Sequence, residues 1–252
     1  MSELNNRQQL ILERIEAEGE IKINELKLVL DVTEMTIRRD LEKLEQAGLI
    51  RRTFGGAIPI VKDVAIKERL RIHVEEKVLI GREAAALIVP GDSVFIDGGT
   101  TTLEIARAMK PGLKATVVTN ALNVAIELLD KKIPTIVVGG NALETTASLV
   151  GPLAAEAIGS LSFTRVFLGA TGLSAIHGFS NSNAYEAEIK KLAIAKAGEV
   201  NIVMDHSKFG AMELFSFAAL PQVDRIITDK LPDEQLLSAC REAEVKIVKA
   251  ST

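Results

Sequence analysis

Cysteine is almost missing: Cys240 is the single one in 252 residues. One thiol excludes a disulfide framework within the chain and any thiolate metal cluster. Histidine is nearly as scarce, and His73, His177 and His206 show no metal-ligand spacing, so neither a metal nor another cofactor is expected. No apolar run reaches the length of a membrane-spanning helix, and the first residues are acidic and polar, unlike a signal peptide. A cytoplasmic protein without a membrane partner is the expectation. Excess positive charge is lacking too. A net charge of −4 argues against a protein that coats nucleic acid through bulk electrostatics. The length allows one ordinary domain plus a small one.

What is present begins with Thr33-Glu-Met-Thr-Ile-Arg-Arg-Asp-Leu41. Thr33 is a good N-cap, and Asp31 and Glu34 suit the positive end of a helix dipole. Ile37, Leu41 and Leu44 recur at helical spacing as a packing stripe. Thr36, Arg38 and Arg39 lie off that stripe, free to face a duplex, and Ala47-Gly48 closes the helix. A first helix is expected over about Glu3 to Glu18, carrying Leu4, Ile11, Leu12 and Ile15. A second is expected to be capped by Asn24, with Leu26, Val29 and Leu30 inside and Asp31-Val32 as the turn. The order is helix, turn, helix. Leu49 to Ile58, two short β-prone runs around Gly-Gly, then reads as a hairpin. A hairpin after a recognition helix is a wing, and Arg51 and Arg52 would bring it to the phosphates.

Exposed arginines are usually just a solvated surface; recognition helix, preceding helix and basic wing in register make the DNA reading the stronger one. Positive charge is local: up to Gly56 nine Lys/Arg face eleven Asp/Glu, which suits a site-specific dimer with weak non-specific affinity. Thr33, Thr36, Arg38 and Arg39 are the expected contacts from the helix, with Met35 either touching a thymine methyl or packing. Asp40 is expected to pair internally with an arginine, since an acid facing phosphate would repel.

Residues 1–58 are therefore expected to form a winged helix-turn-helix, 59–73 an ordered connector and 74–252 an α/β domain. In the last, β-branched runs at Ser93–Asp97, Ala115–Thr119, Thr135–Val138, Arg165–Leu168, Asn201–Met204, Arg225–Thr228 and Val245–Val248 alternate with helical stretches. Such alternation means a mainly parallel, Rossmann-like sheet flanked by helices, and ligands of such sheets sit at the carboxyl ends of the strands.

The unusual residues fall there. Asp97-Gly-Gly-Thr-Thr-Thr102 precedes a helix; Gly99 frees backbone amides, and Thr100, Thr101 and Thr102 add hydroxyls at a helix N-terminus that favours an anion. It lacks both the Gly-Lys-Ser/Thr of a nucleoside-triphosphate loop and the Gly-x-Gly-x-x-Gly of a dinucleotide site, so a small anion such as a sugar phosphate is the reading. Other strand ends carry Asn120, Gly139, Gly140, Gly169 and Asp205-His-Ser-Lys208, and a helix carries Glu186 and Lys190. Asn120 could equally be a helix cap, and Glu186 with Lys190 a surface pair four apart. Convergence on one rim favours binding, with Asp97, Asn120, Glu186, Lys190, Asp205 and Lys208 supplying charge and hydrogen bonds. Cys240 is expected to pack, and Ser207 has no triad partners.

Arg7, Ile11, Ile15, Thr33, Thr36, Ile37, Arg38, Arg39, Asp40 and Leu41 together resemble the N-terminal signature of the DeoR family of bacterial transcriptional regulators. Asp97 to Thr102, Thr119-Asn120, Gly139-Gly140, Glu186 and Asp205-x-Ser-Lys-Phe209 resemble that family's effector domain and, more distantly, the ribose-5-phosphate isomerase and CoA-transferase fold. The resemblance implies a homo-oligomeric (dimer or tetramer) repressor of carbohydrate genes, with operator DNA and a phosphorylated sugar or polyol as partners. An isomerase-like enzyme is the alternative. Where such isomerases carry an acidic Asp-Gly-Ala-Asp segment, this chain reads Gly169-Ala-Thr-Gly-Leu173, so binding without catalysis is expected.

Overall fold

The computed structural model describes residues 4–18, 21–30, 32–47, 49–53, 55–59 and 66–251. The chain divides into two compact units, Met1–Asp63 and Val64–Thr252.

In the first unit, helix α1 (Asn6–Glu18) and strand β1 (Ile21–Lys22) lead into α2 (Ile23–Leu30) and α3 (Glu34–Gln46). Strands β2 (Ile50–Arg52) and β3 (Gly56–Pro59) follow. Ile11, Ile15, Leu26, Ile37, Leu41 and Leu44 meet in one core beneath Ile50 and Ala57. Helix α2 starts one residue before Asn24, so Asn24 lies in its first turn and is not the cap. With Ile23 and Leu26 as the buried face, Val29 falls outside it and is exposed, a correction to its expected place in the core. Gly48 and Asp31, expected at the helix ends, lie outside the described residues. The hairpin pairs antiparallel, Arg52 opposite Ala57. Unexpectedly, β1 adds a third strand through Ile21 opposite Ala57 and Lys22 opposite Gly56. Gly56 allows this approach, because a Cβ there would lie 1.9 Å from the carbonyl oxygen of Ile21.

The second unit opens with α4 (Ile66–Arg69), in the span expected to be connector, and α5 (Val74–Ala85). It continues as β4 (Ser93–Ile96), α6 (Thr100–Ala108), β5 (Thr116–Thr119), α7 (Leu122–Asp130) and β6 (Thr135–Val137). A hairpin of β7 (Asn141–Leu143) and β8 (Ser148–Val150) precedes α8 (Pro152–Gly159) and β9 (Arg165–Gly169). Strands β10 (Gly172–Ser174) and β11 (Gly178–Asn181), helix α9 (Ala184–Ala195), β12 (Val200–Val203), β13 (Phe215–Ala218), β14 (Arg225–Thr228), α10 (Glu234–Glu242) and β15 (Lys246–Lys249) complete it.

Seven strands form the main sheet in the order β15-β14-β12-β9-β4-β5-β6, paired parallel. Successive residues of a strand point to opposite faces, which splits the core in two: Phe95, Val166, Leu168 and Ile202 pack on one face, and Val94, Ile96, Phe167 and Val203 on the other. Helices cover both faces, as a parallel sheet requires. The order in which strands are added reverses at the centre: β4 is followed outward by β5 and β6, then β9 returns to β4's other side. The carboxyl ends of β4 and β9 thus mark the topological switch point, the place where open α/β sheets take ligands in a crevice. Two small antiparallel sheets, β7-β8 and β10-β11-β13, were not legible in the sequence and build walls beyond those strand ends.

Candidate functional sites: a DNA-facing helix and a switch-point crevice

In the first unit Thr33 caps α3, its hydroxyl oxygen accepting from the Thr36 amide at 3.3 Å and lying 2.9 Å from the Thr36 hydroxyl. Both threonines thus mark the helix entrance, Thr33 exposed and Thr36 partly so. Arg38 is exposed and lies 2.7 Å from Glu34, one turn back on the same helix; a surface pair of this kind holds weakly and is readily exchanged for phosphate. Arg39 is exposed and makes no ion pair among the described residues. Met35 is exposed, so of its two expected roles packing is out.

Asp40 behaves as an internal partner. Its buried carboxylate accepts from Arg7 of α1 at 2.6 Å and from the Gln8 amide at 3.0 Å, and that hydrogen bond raises the Arg7 guanidinium above its ordinary pKa. Arg52 is tied back to α3: Glu45 accepts from its amide at 2.9 Å and its Nε at 2.7 Å. These bonds hold the Glu45 carboxyl below its ordinary value. Arg52 therefore fixes the hairpin on α3, and Arg38, Glu45, Arg52 and Thr53 line a groove between the two. The side chain of Arg51 lies outside the described residues.

In the second unit, Asp97 at the end of β4 is buried and accepts from the ammonium of Lys190 on α9. The same ammonium donates to the Gly169 carbonyl at 2.7 Å, and the Gly169 amide donates to Asp97 at 3.2 Å. Three predicted residues from β4, β9 and α9 so close one knot at the switch point. Burial pushes the Asp97 carboxyl up, against the pull of Lys190 and with a further push from Glu186. Lys190 also lies over the Phe217 ring, 5.4 Å from its centroid.

Glu186 is buried too, so the surface-pair alternative for Glu186 and Lys190 is corrected: both point inward, to different partners. Glu186 accepts from the Ser148 hydroxyl at 3.0 Å and from Asn181 Nδ2 at 3.3 Å, and Ser148 lies 2.6 Å from Thr146 Oγ1. Asn120 donates to the Leu149 carbonyl at 3.2 Å. Among the described residues three buried oxygens remain without a partner, Asn120 Oδ1, Asn181 Oδ1 and Thr228 Oγ1 of β14; buried polar atoms of this kind call for an explanation.

Thr100, Thr101 and Thr102 open α6 and are buried. The Thr102 hydroxyl donates to the Gly99 carbonyl at 3.1 Å, whereas Thr100 and Thr101 form no side-chain hydrogen bond among the described residues. Gly98 is obligatory, since a Cβ there would sit 2.8 Å from that of Ser148. Gly140 is explained by its backbone: φ is +145° and a Cβ would meet the Val150 carbonyl oxygen at 2.5 Å. Gly139 is exposed with open space around it.

Asp205 caps the turn His206–Lys208, accepting from the amide and hydroxyl of Ser207. Burial pushes its carboxyl up, but Lys208, the Ser207 hydroxyl, His73 and Lys77 outweigh this and hold it below the ordinary value. Lys208 is partly exposed on that turn. His206 is held in place: its Nδ1 lies 2.6 Å from Asp229 at the end of β14, and its ring meets His73 edge-on at 5.2 Å. Thr146, Ser148, Asn181 and Asp229 were missed in the sequence because nothing in their local pattern distinguishes them from loop residues. Cys240 is buried as expected. Among the described residues no cluster of His, Cys, Asp or Glu could hold a metal, and no helix is long and apolar enough to cross a membrane.

Comparison with known proteins bears on both units. Residues 7–62 match the model of the DeoR-like helix-turn-helix domain, and residues 72–230 that of the DeoR C terminal sensor domain. The chain belongs to the DeoR family. Its relatives include the uncharacterized HTH-type transcriptional regulator YulB of Bacillus subtilis (strain 168), 36% identical over 96% of this chain and 95% of that protein. The HTH-type transcriptional regulator IolR of the same organism is 35% identical over 93% and 95%, and its HTH-type transcriptional repressor GlcR 35% over 89% and 88%. This DeoR-family chain is accordingly a helix-turn-helix transcriptional regulator with a C-terminal sensor domain. Ribose 5-phosphate isomerase A of Methanocaldococcus jannaschii overlays only at TM-score 0.41, with 14% identity over 54% of this chain and 55% of that one, too faint a likeness to bear on function.

Proposed function

We propose that this regulator is a repressor of a carbohydrate-utilisation operon, released or engaged by a phosphorylated sugar or polyol bound at the switch-point crevice. That crevice carries the reading. Its floor is rich in acceptors: the carboxylates of Asp97 and Glu186 and the unpaired oxygens of Asn120 and Asn181. The two carboxylates already accept bonds within the protein, so among the described residues the two amide oxygens are the acceptors left for a ligand that presents hydroxyls. Beside them the α6 N-terminus with Thr100 and Thr101, and Lys208 on the Asp205 turn, favour a phosphate. Gly99, Gly139, Gly140 and Gly169 leave the backbone close to this space.

Operator DNA would be met by Thr33, Thr36, Arg38 and Arg39, with Arg51 and Arg52 steadying the wing. A homo-oligomer fits an unprotected sheet edge: Ile136 and Val137 of β6 are exposed, as are Leu122, Ile126 and Leu129 of α7 and Leu153 of α8. Exposed edges of this kind pair with another copy. A cytoplasmic location accords with a role on DNA.

Fluorescence anisotropy on DNA from upstream of its own coding region, titrated with aldose, ketose and polyol phosphates at fixed salt, tests the reading. One compound is expected to shift the affinity. Lys208→Ala is expected to abolish that response and spare DNA binding; Arg38→Ala is expected to do the reverse. Loss of both properties in either variant overturns the two-site assignment. Conversion of a panel compound without specific DNA binding would favour the isomerase-like alternative.

A further inference from the structure

The segment Ile66–His73 follows the DNA-binding unit in the chain and is fastened to the rim of the crevice at both ends. At one end the Ile66 amide donates to the Thr145 carbonyl at 2.8 Å. Thr145 adjoins Thr146, which reaches Glu186 through Ser148. At the other end Lys77 of α5, itself buried, donates to the carbonyls of Arg69 and Ile72 at 2.7 and 2.5 Å. His73 then holds a left-handed conformation with φ +51°, costly for a residue other than glycine, and its ring packs on His206 in the Asp205–Lys208 turn. Ile66 itself is buried, and between the two ends Leu70 packs into the unit's core.

A buried ammonium is expensive unless its donors are used, and here two of them go to the carbonyls of one short segment. Lys77 takes no part in the knot around Asp97 or in the glycine–threonine loop, and on Asp205 it acts through charge alone, helping to hold that carboxyl low. Its chemistry is that of a clasp.

We propose that Ile66–His73 is a strap that carries effector occupancy to the DNA-binding unit, with Lys77 as its clasp and the Ile66–Thr145 bond as its second anchor. This rests on the effector reading above. A ligand drawing on the Thr146–Ser148–Glu186 chain or on the Asp205 turn moves an anchor of the strap, and with it the segment that continues into the DNA-binding unit. Such coupling, a free energy shared between two sites, changes affinity by about 5–150-fold in general. Lys77 is thus a positioning residue, not a ligand contact.

Two variants of the full chain test this. Lys77→Met removes the clasp at similar volume. Ile66→Pro deletes the donor to Thr145 at the first position of a helix, where proline is tolerated. Calorimetric titration with the panel phosphate that shifts operator affinity in the parent is compared with operator anisotropy in its presence and absence. Both variants are expected to bind that phosphate within about 3-fold of the parent, while the shift in operator affinity falls below about 2-fold, against the range above. A full shift in either variant overturns the strap. Loss of phosphate binding in Lys77→Met overturns the clasp by making Lys77 a ligand contact. If the parent binds no panel phosphate, the effector reading fails by itself, and hydrogen exchange with operator anisotropy of the free proteins then judges the strap. Faster exchange at Leu70, Arg71 and Ile72, with operator affinity changed about 3-fold or more, would sustain it. Loosened amides with unchanged affinity would sink it, as would unchanged exchange.

Discussion

Replacing Lys190 by methionine strikes the one ion pair among the described residues whose partners are both almost fully buried, with side-chain exposures of 2% and 3%. The ammonium serves Asp97 and the Gly169 carbonyl together, so methionine of similar volume leaves a buried carboxylate and a buried carbonyl without their donor. Breaking a buried pair from one side costs about 3–5 kcal/mol, because the surviving charge is uncompensated. For a unit of this size that is a fall in Tm of about 6–20 °C. The loss also acquires a pH dependence of known sign. Burial already raises the Asp97 carboxyl, and without Lys190 it rises further and takes a proton in the folded state. Between the unfolded value, about 3.9, and the raised folded one, the folded state holds the extra proton, so stability falls as pH rises, by up to about 1.4 kcal/mol per unit. Lys190→Met is therefore expected to be nearest the parent at the acid end of that window and furthest from it once pH has passed the raised folded value. Adding Asp97→Asn removes the titrating group and is expected to flatten that slope and recover much of the loss. The chain has no tryptophan and one tyrosine, so urea and thermal unfolding are best followed by circular dichroism at several pH values. A single variant within about 1 kcal/mol of the parent and indifferent to pH would refute the reasoning, since a pair so buried cannot be both intact and dispensable.

Gly98→Ala forces a Cβ to 2.8 Å from that of Ser148 and is expected to cost about 1–3 kcal/mol by overpacking. Gly139→Ala, with open space around it, is expected to stay within about 0.5 kcal/mol; thermal melts of the two side by side separate packing from mere loop composition. Asp40→Asn keeps the shape but drops the charge facing Arg7 and Gln8. Arg7 is more than a third exposed, so the discounted loss is about 1–2 kcal/mol, read as earlier unfolding and weaker operator binding in anisotropy. Glu199 accepts from Arg165 at 3.1 Å and also from Arg225. Burial pushes its carboxyl up, but the two guanidiniums outweigh this and hold it below the ordinary value. Its contribution is therefore whole above about pH 4.3 and is lost as pH falls through the lower folded value. Glu199→Gln is expected to lower Tm at neutral pH and to shrink the further loss on acidification, which a melt series from neutral to acid pH measures.

The parts of this molecule that repeat were legible in advance, and those that converge from distant places were not. The α3 stripe of Ile37, Leu41 and Leu44, with Thr33 at its cap, follows from 3.6-residue spacing and one hydroxyl, and all three side chains are buried as that spacing requires. The seven parallel strands announced themselves by β-branched runs separated by helices. Strand β1 did not, because two residues carry no period; it exists because Gly56 lets Ile21 approach. The small sheets β7-β8 and β10-β11-β13 likewise hold three or four residues per strand, too few to show alternation.

At the crevice, Asp97, Gly169 and Lys190 could be nominated singly, since each stands at a strand end or a helix turn facing it. Their joining in one knot depends on the reversal of strand order between β4 and β9, a property of the sheet as a whole. Glu186 makes the point most sharply: its spacing to Lys190 suggested a partner four residues away, yet its partners are Ser148 and Asn181, brought in by two hairpins. Local spacing shows which side chains share a helix face, but burial decides whether they pair with one another. In a buried site each charge takes the partner that satisfies most of its bonds, and here those partners come from elements far apart in the chain. Under the effector reading proposed above, that same dependence is what would let the site register a ligand, because moving any one donor disturbs bonds held by several elements.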